Sequence, residues 1–454
     1  MRSISLSKVL ALLASTFSTK HTRCLGFLIL LGLCVALASS QAFAQDTWTT
    51  KAPMPTPRSH LAAGVVNGVL YAVGGYSNGN WLATVEAYDP TTDSWTTKAP
   101  MPTPRSHLAA GVVNGVLYAV GGYSNGNWLA TVEAYDPTTN TWTTKAPMPT
   151  QRFSLAIGVV NGILYAVGGY NINIAANGWL PTVEAYDPTT DTWTTKAPMP
   201  TARGALAAGV VNGLLYAVGG IVDSPVQTIF ATVEAYDPTT NTWTTKAPMP
   251  TARWALAVSA LNGLLYADGG ANCNGNCPVN NNEAYDATTD TWAALTPMPT
   301  ARGWLAAGAA NGDVYAVGGS TCNFPNTCPL ATNEAYLPQT TYTAQIQQPI
   351  NSDGSSVFNS RRGTIPVIFT LAVNGVSTCN LPPATIALYR TSGSSPGLIN
   401  ESSYIAPADS GSSFRISSCQ YVYNLDSKAL GVGIYQVTIS INSQQIGSAT
   451  FGIN

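Results

Sequence analysis

The sequence predicts an all-β protein built from six tandem units of four strands each, followed by a smaller β-rich segment. A phrase of Tyr-Ala-Val-Gly-Gly, then Glu-Ala-Tyr-Asp-Pro, then Trp first occurs at residues 71–75, 86–90 and 95, and its parts return in the same order. Its tryptophans are 47 to 51 residues apart: Trp48, Trp95, Trp142, Trp193, Trp243 and Trp292. The chain has 41 Gly and 30 Pro in 454 residues and only 9% charged residues. That composition suits strands joined by turns and not helices.

The order and spacing of these parts resemble the kelch repeat, whose arrays form β-propellers. The Gly-Gly pair and the Glu-Ala-Tyr triplet return in six units, so the resemblance covers roughly residues 46–343. It implies a six-bladed kelch β-propeller with four antiparallel strands in each blade.

The first unit shows how each strand is predicted. Residues 59–66 are rich in small side chains, which suits a first strand at the crowded centre of a ring. Asn67-Gly68 is a two-residue hairpin signal, and the apolar run 69–74 is typical of a strand covered on both faces. Residues 83–88 and 94–98 form the third and fourth strands around an Asp-Pro turn. The Asn-Gly and Asp-Pro turns then lie at one end of the blade.

The variable second-to-third loop and the Pro-rich connector between units lie at the opposite end of each blade, which we call the loop-bearing face. An Arg recurs in every connector, and a Glu recurs in every third strand. The arginines could form an anion site, but the equal number of Glu favours structural Arg–Glu pairing. The arginines are Arg58, Arg105, Arg152, Arg203, Arg253 and Arg302.

Residues that vary between units are better candidates for a binding site than residues that repeat. One or two residues after the Arg stand His60, His107, Phe153, Trp254 and Trp304. Aromatic residues in the loops of units one to three, beside several Asn, are Tyr76, Trp81, Tyr123, Trp128, Tyr170 and Trp179. Rings that stack on apolar faces beside amides that form directional hydrogen bonds are a sugar- or peptide-binding surface. We therefore predict a ligand site made of these aromatic residues together with His60, His107, Trp254 and Trp304. The alternative is that the Trp rings only pack their own loops.

Catalysis has little support in the sequence. No Ser–His–Asp order or Gly-rich phosphate loop is present. The resemblance to the kelch enzyme galactose oxidase fails, since its copper site needs two His, Tyr ligands and a Cys joined to a Tyr, and here His60 and His107 belong to near-identical units. We expect no cofactor and no metal. A mutarotase-like, cofactor-free carbohydrate-active enzyme and a purely structural surface protein remain the alternatives. Asp268, which breaks the Ala-Val-Gly-Gly phrase, is weak support for chemistry.

Residues 1–44 read as a signal peptide. Basic residues precede an apolar stretch at 25–37, and Ala42-Phe43-Ala44 offers a small-x-small cleavage pattern. The alternative is a retained membrane anchor, for which the stretch is short. The protein is therefore expected to be secreted, periplasmic or at the cell surface, without stable membrane insertion, and monomeric. A net charge of −2 without a basic run argues against nucleic-acid binding.

Six cysteines remain after the signal, an even number that suggests disulfides in an exported protein. Fifteen pairings are open, and locality favours Cys273–Cys277, Cys322–Cys328 and Cys379–Cys419. A metal site is the weaker alternative because no His follows His107.

The repeat fades after residue 336, and we predict a linker at 344–356. Strand patterns at 364–371, 421–425 and 433–439 resemble the small PxKF-type domain of secreted bacterial proteins, although Ile368 stands where that family has Lys. The resemblance implies a small immunoglobulin-like β-sandwich at 357–454 with an accessory or adhesion role.

The N-terminal segment around Trp48 repeats the fourth-strand phrase fully, so we predict that it completes the last blade.

Overall fold

The computed structural model describes residues 46–175, 177–223, 227–273, 277–322 and 328–338 of the repeat region. In the C-terminal region it describes 342–347, 349–350, 356–358, 364–373, 376–378, 384–392, 397–399, 415–417, 420–426, 430, 432–441 and 444–454. The predicted signal peptide and Cys379–Cys419 lie outside these residues, so both stay predictions. Across the ranges just given, no helix is long and apolar enough to cross a membrane.

The repeat region forms six four-stranded antiparallel sheets, here called blades 1 to 6. Blade 1 consists of Ala62–Val66, Val69–Val73, Val85–Asp89 and Ser94–Thr97. Blade 2 consists of Ala109–Val113, Val116–Val120, Val132–Asp136 and Thr141–Lys145. Blade 3 consists of Ala156–Val160, Ile163–Val167, Val183–Asp187 and Thr192–Lys196. Blade 4 consists of Ala207–Val211, Leu214–Val218, Val233–Asp237 and Thr242–Lys246. Blade 5 consists of Ala257–Leu261, Leu264–Asp268, Asn282–Asp286 and Thr291–Ala294. Blade 6 consists of Ala306–Ala310, Asp313–Val317, Asn333–Leu337 and Thr47–Thr50.

The first strands of the six blades contact one another in a closed cycle, from blade 1 through blade 6 and back to blade 1. The cycle is possible because small residues face the neighbouring blade. A Cβ added to Gly64 of blade 1 would lie 2.5 Å from Leu117 Cδ1 of blade 2, which is closer than two carbon atoms can approach. The repeated small residues of the first strand therefore set the distance between blades.

The Tyr and Trp of each repeat fill the space between blades, as predicted. In blade 1, Tyr88 and Trp95 are cross-strand partners with ring centroids 5.1 Å apart. Trp95 Nε1 donates to the carbonyl oxygen of Ala52, which precedes blade 1 in the chain, at 2.8 Å. Tyr88 also lies 5.5 Å from Tyr315 of blade 6. Equivalent contacts recur around the ring, so each blade is packed against the next by one set of side chains.

Blade 6 takes its fourth strand from the N-terminal side of the repeats. Thr47–Thr50 pairs antiparallel with Asn333–Leu337, and Trp48 lies opposite Tyr336. This confirms the prediction that the segment around Trp48 closes the ring.

The C-terminal region forms two further sheets that share one hydrophobic core. The first sheet contains Tyr342–Gln347, Thr364–Val373, Val376–Thr378, Arg415–Ser417 and Gln420–Asp426. The second contains Ser356–Phe358, Ala384–Ser392, Gly397–Ile399, Gly433–Ile441 and Gln444–Ile453. Both inner faces contribute to the core, which includes Phe369, Tyr421, Tyr435 and Phe451.

The predicted linker at 344–356 is wrong at both ends. Tyr342–Gln347 pairs with Thr364–Val373, and Ser356–Phe358 pairs with Gln444–Ile453. Ile346 is buried while its neighbour Gln345 is exposed, as expected for a strand with one covered face, and the polar residues of this segment led to the prediction of a linker.

Candidate functional site

The recurring Arg and Glu residues form six buried ion pairs. Each Arg side chain is 0% exposed and each Glu side chain 2–3%, with N···O distances of 2.5–3.0 Å. A Thr of each connector donates to the other Glu oxygen, as Thr56 does to Glu86 at 2.7 Å. The predicted structural pairing is therefore confirmed, and these guanidinium groups are not presented to a ligand.

Six residues around the axis of the ring join the connectors to the first strands. All six have left-handed backbone conformations, with φ between 49° and 56°. Each N–H donates to the carbonyl oxygen of the preceding member at 2.8–2.9 Å, and the last bond closes the cycle. We call them the axial ring: His60, His107, Ser154, Ala205, Ala255 and Trp304. Because the backbone groups satisfy one another, only the side chains distinguish one position from the next.

His60, His107 and Trp304 come together although they lie up to 244 residues apart in the chain. The imidazole centroids are 4.0 Å apart, and His60 stacks on Trp304 at 4.3 Å. Trp254 meets Trp304 edge-on at 5.3 Å. The variable residues of blades 1, 2, 5 and 6 thus form one cluster at the axis.

Both imidazoles are neutral at physiological pH. Burial lowers the pKa of His107 to about 3, and burial together with the neighbouring His107 lowers the pKa of His60 well below its usual range. The Nδ1 atoms of His60 and His107 are hydrogen-bonded to the hydroxyl groups of Ser59 and Ser106, at 2.8 and 2.9 Å. These serines fix the orientation of the rings.

Phe153 connects the axial cluster to the aromatic residues of the loops. Its ring lies 5.4 Å from His107, 5.6 Å from Tyr123 and 5.5 Å from Tyr170. Phe153 is one of the variable residues that follow the connector Arg, but the predicted site does not include it. The signal that could have found it is its position beside Arg152, where blade 5 has Trp254.

The predicted loop aromatics differ in exposure. In blades 1 and 2, short ribbons place Tyr76 opposite Trp81 and Tyr123 opposite Trp128, and these four side chains are partly exposed. Trp81 lies 6.1 Å from Tyr123 of the next blade. The aromatic surface therefore continues from the axis across blades 1 and 2.

Trp179 corrects the prediction for blade 3. Its side chain is 7% exposed and packs with Ala205 and Ile221, while its Nε1 donates to Asp223 Oδ1 at 2.9 Å. It therefore anchors its loop, which is the alternative stated above, and Tyr170 packs edge-on against it at 4.8 Å. The same loop exposes Ile172 and Ile174 at 45% and 53%.

A small cavity of about 90 Å³, open to solvent, lies at the axial ring. It is lined by the six residues of the ring and by the leucine that follows each of them. The cavity places His60, His107, Ser154 and Trp304 around one opening, so a small group entering at the axis would meet rings on one side and small side chains on the other.

The loops of blades 5 and 6 are closed by disulfides, as predicted. Cys273–Cys277 and Cys322–Cys328 join residues whose Cα atoms are 5.4 and 5.3 Å apart. Among the residues that the structure describes, no group of three or more His, Cys, Asp or Glu could hold a metal ion.

Asp268 lies away from the loop-bearing surface, in the packing between blades 5 and 6. It is 0% exposed, opposite Asn282 on the third strand, and neither of its carboxyl oxygens has a hydrogen-bond partner. Burial raises its pKa to about 7, against the opposing effect of Arg253 and Arg302. Because Asp268 lies in the interior, we expect it to affect the stability of the protein and not to contact a ligand.

Comparisons with known proteins agree with this architecture. Residues 33–169 and 96–220 match the family described as KLHDC2/KLHL20/DRC7 Kelch-repeats domain, and residues 202–250 and 255–299 match the Kelch motif. The solved structure titled "Structure of YjhT" is similar with a TM-score of 0.52 and 18% sequence identity, over 63% of this chain and 96% of that one. At that identity the likeness concerns the fold alone. No curated protein matches the chain significantly in sequence.

Proposed function

Since the chain is a kelch-repeat propeller protein, we propose that it is an exported binding module that holds a glycan or peptide on its loop-bearing face. The observation that carries this proposal is the continuous aromatic surface from Trp304 and His60 through His107 and Phe153 to Tyr123. At the axial position, His occurs in blades 1 and 2 and Ser, Ala, Ala and Trp in blades 3 to 6, whereas most residues that pack the ring repeat. Variation of this kind on the loop-bearing face is what a ligand site on a repeat scaffold needs.

The surface has the composition of a binding site. Partly exposed rings surround a small cavity of about 90 Å³ that opens to solvent, and the Asn residues at positions 78, 80, 125 and 127 of the rim are exposed. Ligand sites combine such apolar walls with a few directional polar groups. The C-terminal pair of sheets, which we assign to an immunoglobulin-like accessory domain, adds a second surface without a proposed ligand of its own.

The cofactor-free enzyme is less well supported than the binding module. Its chemistry would need the Arg and Glu rings, and those side chains are buried in pairs. We therefore do not assign a reaction.

A glycan and peptide array on the purified mature protein tests the proposal, followed by an assay for turnover of each bound compound. Trp304→Ala is the diagnostic variant. Blades 4 and 5 have alanine at the same position of the axial ring with φ of 49° and 52°, so the backbone accepts it. We expect binding to weaken at least about tenfold, since contact aromatics typically contribute about 1–3 kcal/mol.

The control is a double change of Lys98 and Lys145 to Ala, at the ends of outer strands. It should leave binding unchanged. If Trp304→Ala binds the compound as tightly as the parent protein, the ligand site lies elsewhere. Turnover would support the enzyme, and the absence of any bound compound would favour the structural role.

A further inference from the structure

The loop-bearing face carries almost no charge. The second-to-third loops span residues 74–84, 121–131, 168–182, 219–232, 269–281 and 318–332, and Asp223 is the one charged residue in their sequences. From the Met of each connector to the start of the first strand, the charged residues are the six arginines. Most of the 42 charged residues of the chain therefore lie outside these loops and connectors.

The six arginines do not alter that neutrality. Each is 0% exposed and is paired with a Glu of its own blade, so every pair has zero net charge. Asp223 is exposed, and its carboxylate accepts the Trp179 Nε1 hydrogen bond. Within these loop and connector segments, no cation outside the six ion pairs could pair with an anionic ligand, and Asp223 is the one exposed carboxylate that could pair with a cation.

The two histidines also stay neutral over the physiological range, because burial holds the pKa of both below their usual range. Each imidazole uses Nδ1 for a hydrogen bond with a serine hydroxyl and packs within the aromatic cluster, His60 stacked on Trp304 and His107 edge-on to it. A neutral imidazole can accept or donate one hydrogen bond at its other nitrogen, which suits a hydroxyl group.

A peptide is less well matched to this face than a sugar. Two of the common ways to hold a peptide are to add it as a strand to a free sheet edge and to pair its charges. Here the backbone groups of the axial ring bind one another in a closed cycle, and the loop and connector segments defined above have no cation outside the six ion pairs.

Resting on the proposed binding function, we infer that the ligand is an uncharged oligosaccharide. The C–H face of a pyranose ring is apolar and matches Trp304, Phe153 and Tyr123, while its hydroxyls match the rim amides and the neutral imidazoles. A carboxylate or sulfate on the same sugar would lose water without gaining a partner.

The experiment measures binding of the full mature protein to matched pairs of oligosaccharides. Each neutral hexose or N-acetylhexosamine oligomer is compared with a uronic-acid counterpart of the same linkage and length, alongside short peptides. We expect the neutral member to bind at least about tenfold more tightly. Its affinity should change less than about twofold when NaCl rises from about 0.05 to about 0.5 M, because there is no ion pair to screen.

Two variants make the result specific to this face. Trp304→Ala should remove the binding of the neutral oligomer, whereas Asp223→Asn, which removes the one carboxylate of the loops, should leave it unchanged within about twofold.

The outcomes separate this inference from the binding function on which it rests. If an acidic oligosaccharide or a peptide binds more tightly and Trp304→Ala abolishes it, the face binds a ligand but the inference is overturned. If the neutral oligomer binds equally well to Trp304→Ala, or if no compound of any class binds, both fall.

Discussion

Asp268 places a carboxyl group where the five other blades bury a valine: Val73, Val120, Val167, Val218 and Val317. Its cross-strand partner Asn282 likewise replaces a valine of blades 1 to 4. Both carboxyl oxygens of Asp268 and Oδ1 of Asn282 lack a hydrogen-bond partner. The packing between blades 5 and 6 therefore contains a pair of facing polar residues, Asp268 and Asn282, that the other interfaces lack.

We predict that Asp268 makes stability fall between about pH 4 and pH 7. The pKa of Asp268 is raised to about 7 in the folded protein and is about 3.9 when unfolded. Between these values the unfolded chain releases a proton that the folded chain keeps, so the free energy of unfolding decreases as pH rises and levels off above pH 7. The full change is about 4 kcal/mol.

Denaturant unfolding across this pH range, on the parent protein and Asp268→Asn, measures the effect. The difference in the free energy of unfolding between the two proteins should change by about 4 kcal/mol from about pH 4 to about pH 7 and then become constant. Asp268→Val, which restores the residue of the other blades, should also raise stability at pH 7. Parallel curves for the parent and Asp268→Asn would show that this carboxyl group does not titrate on unfolding.

At the scale of single elements, blade 6 depends on a strand that is far from it in the chain. Trp48 Nε1 donates to the Thr296 carbonyl oxygen at 2.8 Å, and its ring lies 5.2 Å from Tyr336. These contacts are the same as those of Trp142 within blade 2, whose Nε1 donates to Ala99 at 2.9 Å. The closing strand is thus equivalent to an ordinary fourth strand.

Deleting residues 46–50 should lower the melting temperature by at least about 5 °C, because Asn333–Leu337 would become an exposed sheet edge. Thermal unfolding followed by circular dichroism measures the shift. Trp48→Ala and Trp142→Ala form the matched pair and should cause similar, smaller decreases. An unchanged melting temperature in the deletion variant would mean that another segment supplies the strand.

On the scale of the whole molecule, the repeats and the C-terminal sheets have separate hydrophobic cores. The C-terminal core is made of residues from Ile346 onward, and the described cores of the repeats end at Tyr336. Two cores without a shared side chain are expected to unfold in separate steps.

Calorimetry of the full chain should therefore show two transitions. Leu70→Ala in the core between blades 6 and 1 should lower one of them by about 5 °C or more, and Phe451→Ala should lower the other. A single transition that both variants shift equally would show that the two regions unfold together.

The repeat architecture could be predicted because its determinants are local and occur six times. The Gly-Gly pair, the Asn-Gly turn and the Arg–Glu pairs all follow from one repeat unit. The cluster at the axis could be anticipated only as a set of variable residues, because the contact between His60 and Trp304 depends on ring closure. Trp179 is buried by contacts with Ala205 and Ile221 of the next blade, which one repeat unit does not predict. The strand Tyr342–Gln347 was missed because most of its residues are polar or small.

The closed cycle of backbone hydrogen bonds has an electrostatic consequence. Each bond of the axial ring points to the next in the same rotational sense, so the components of their dipoles that run around the axis cancel. A helix end, by contrast, aligns its peptide dipoles and attracts an ion of one sign. Around its axis the opening therefore has no such aligned array of peptide dipoles, so the backbone of the axial ring does not favour an ion of either sign through dipoles that run around the axis.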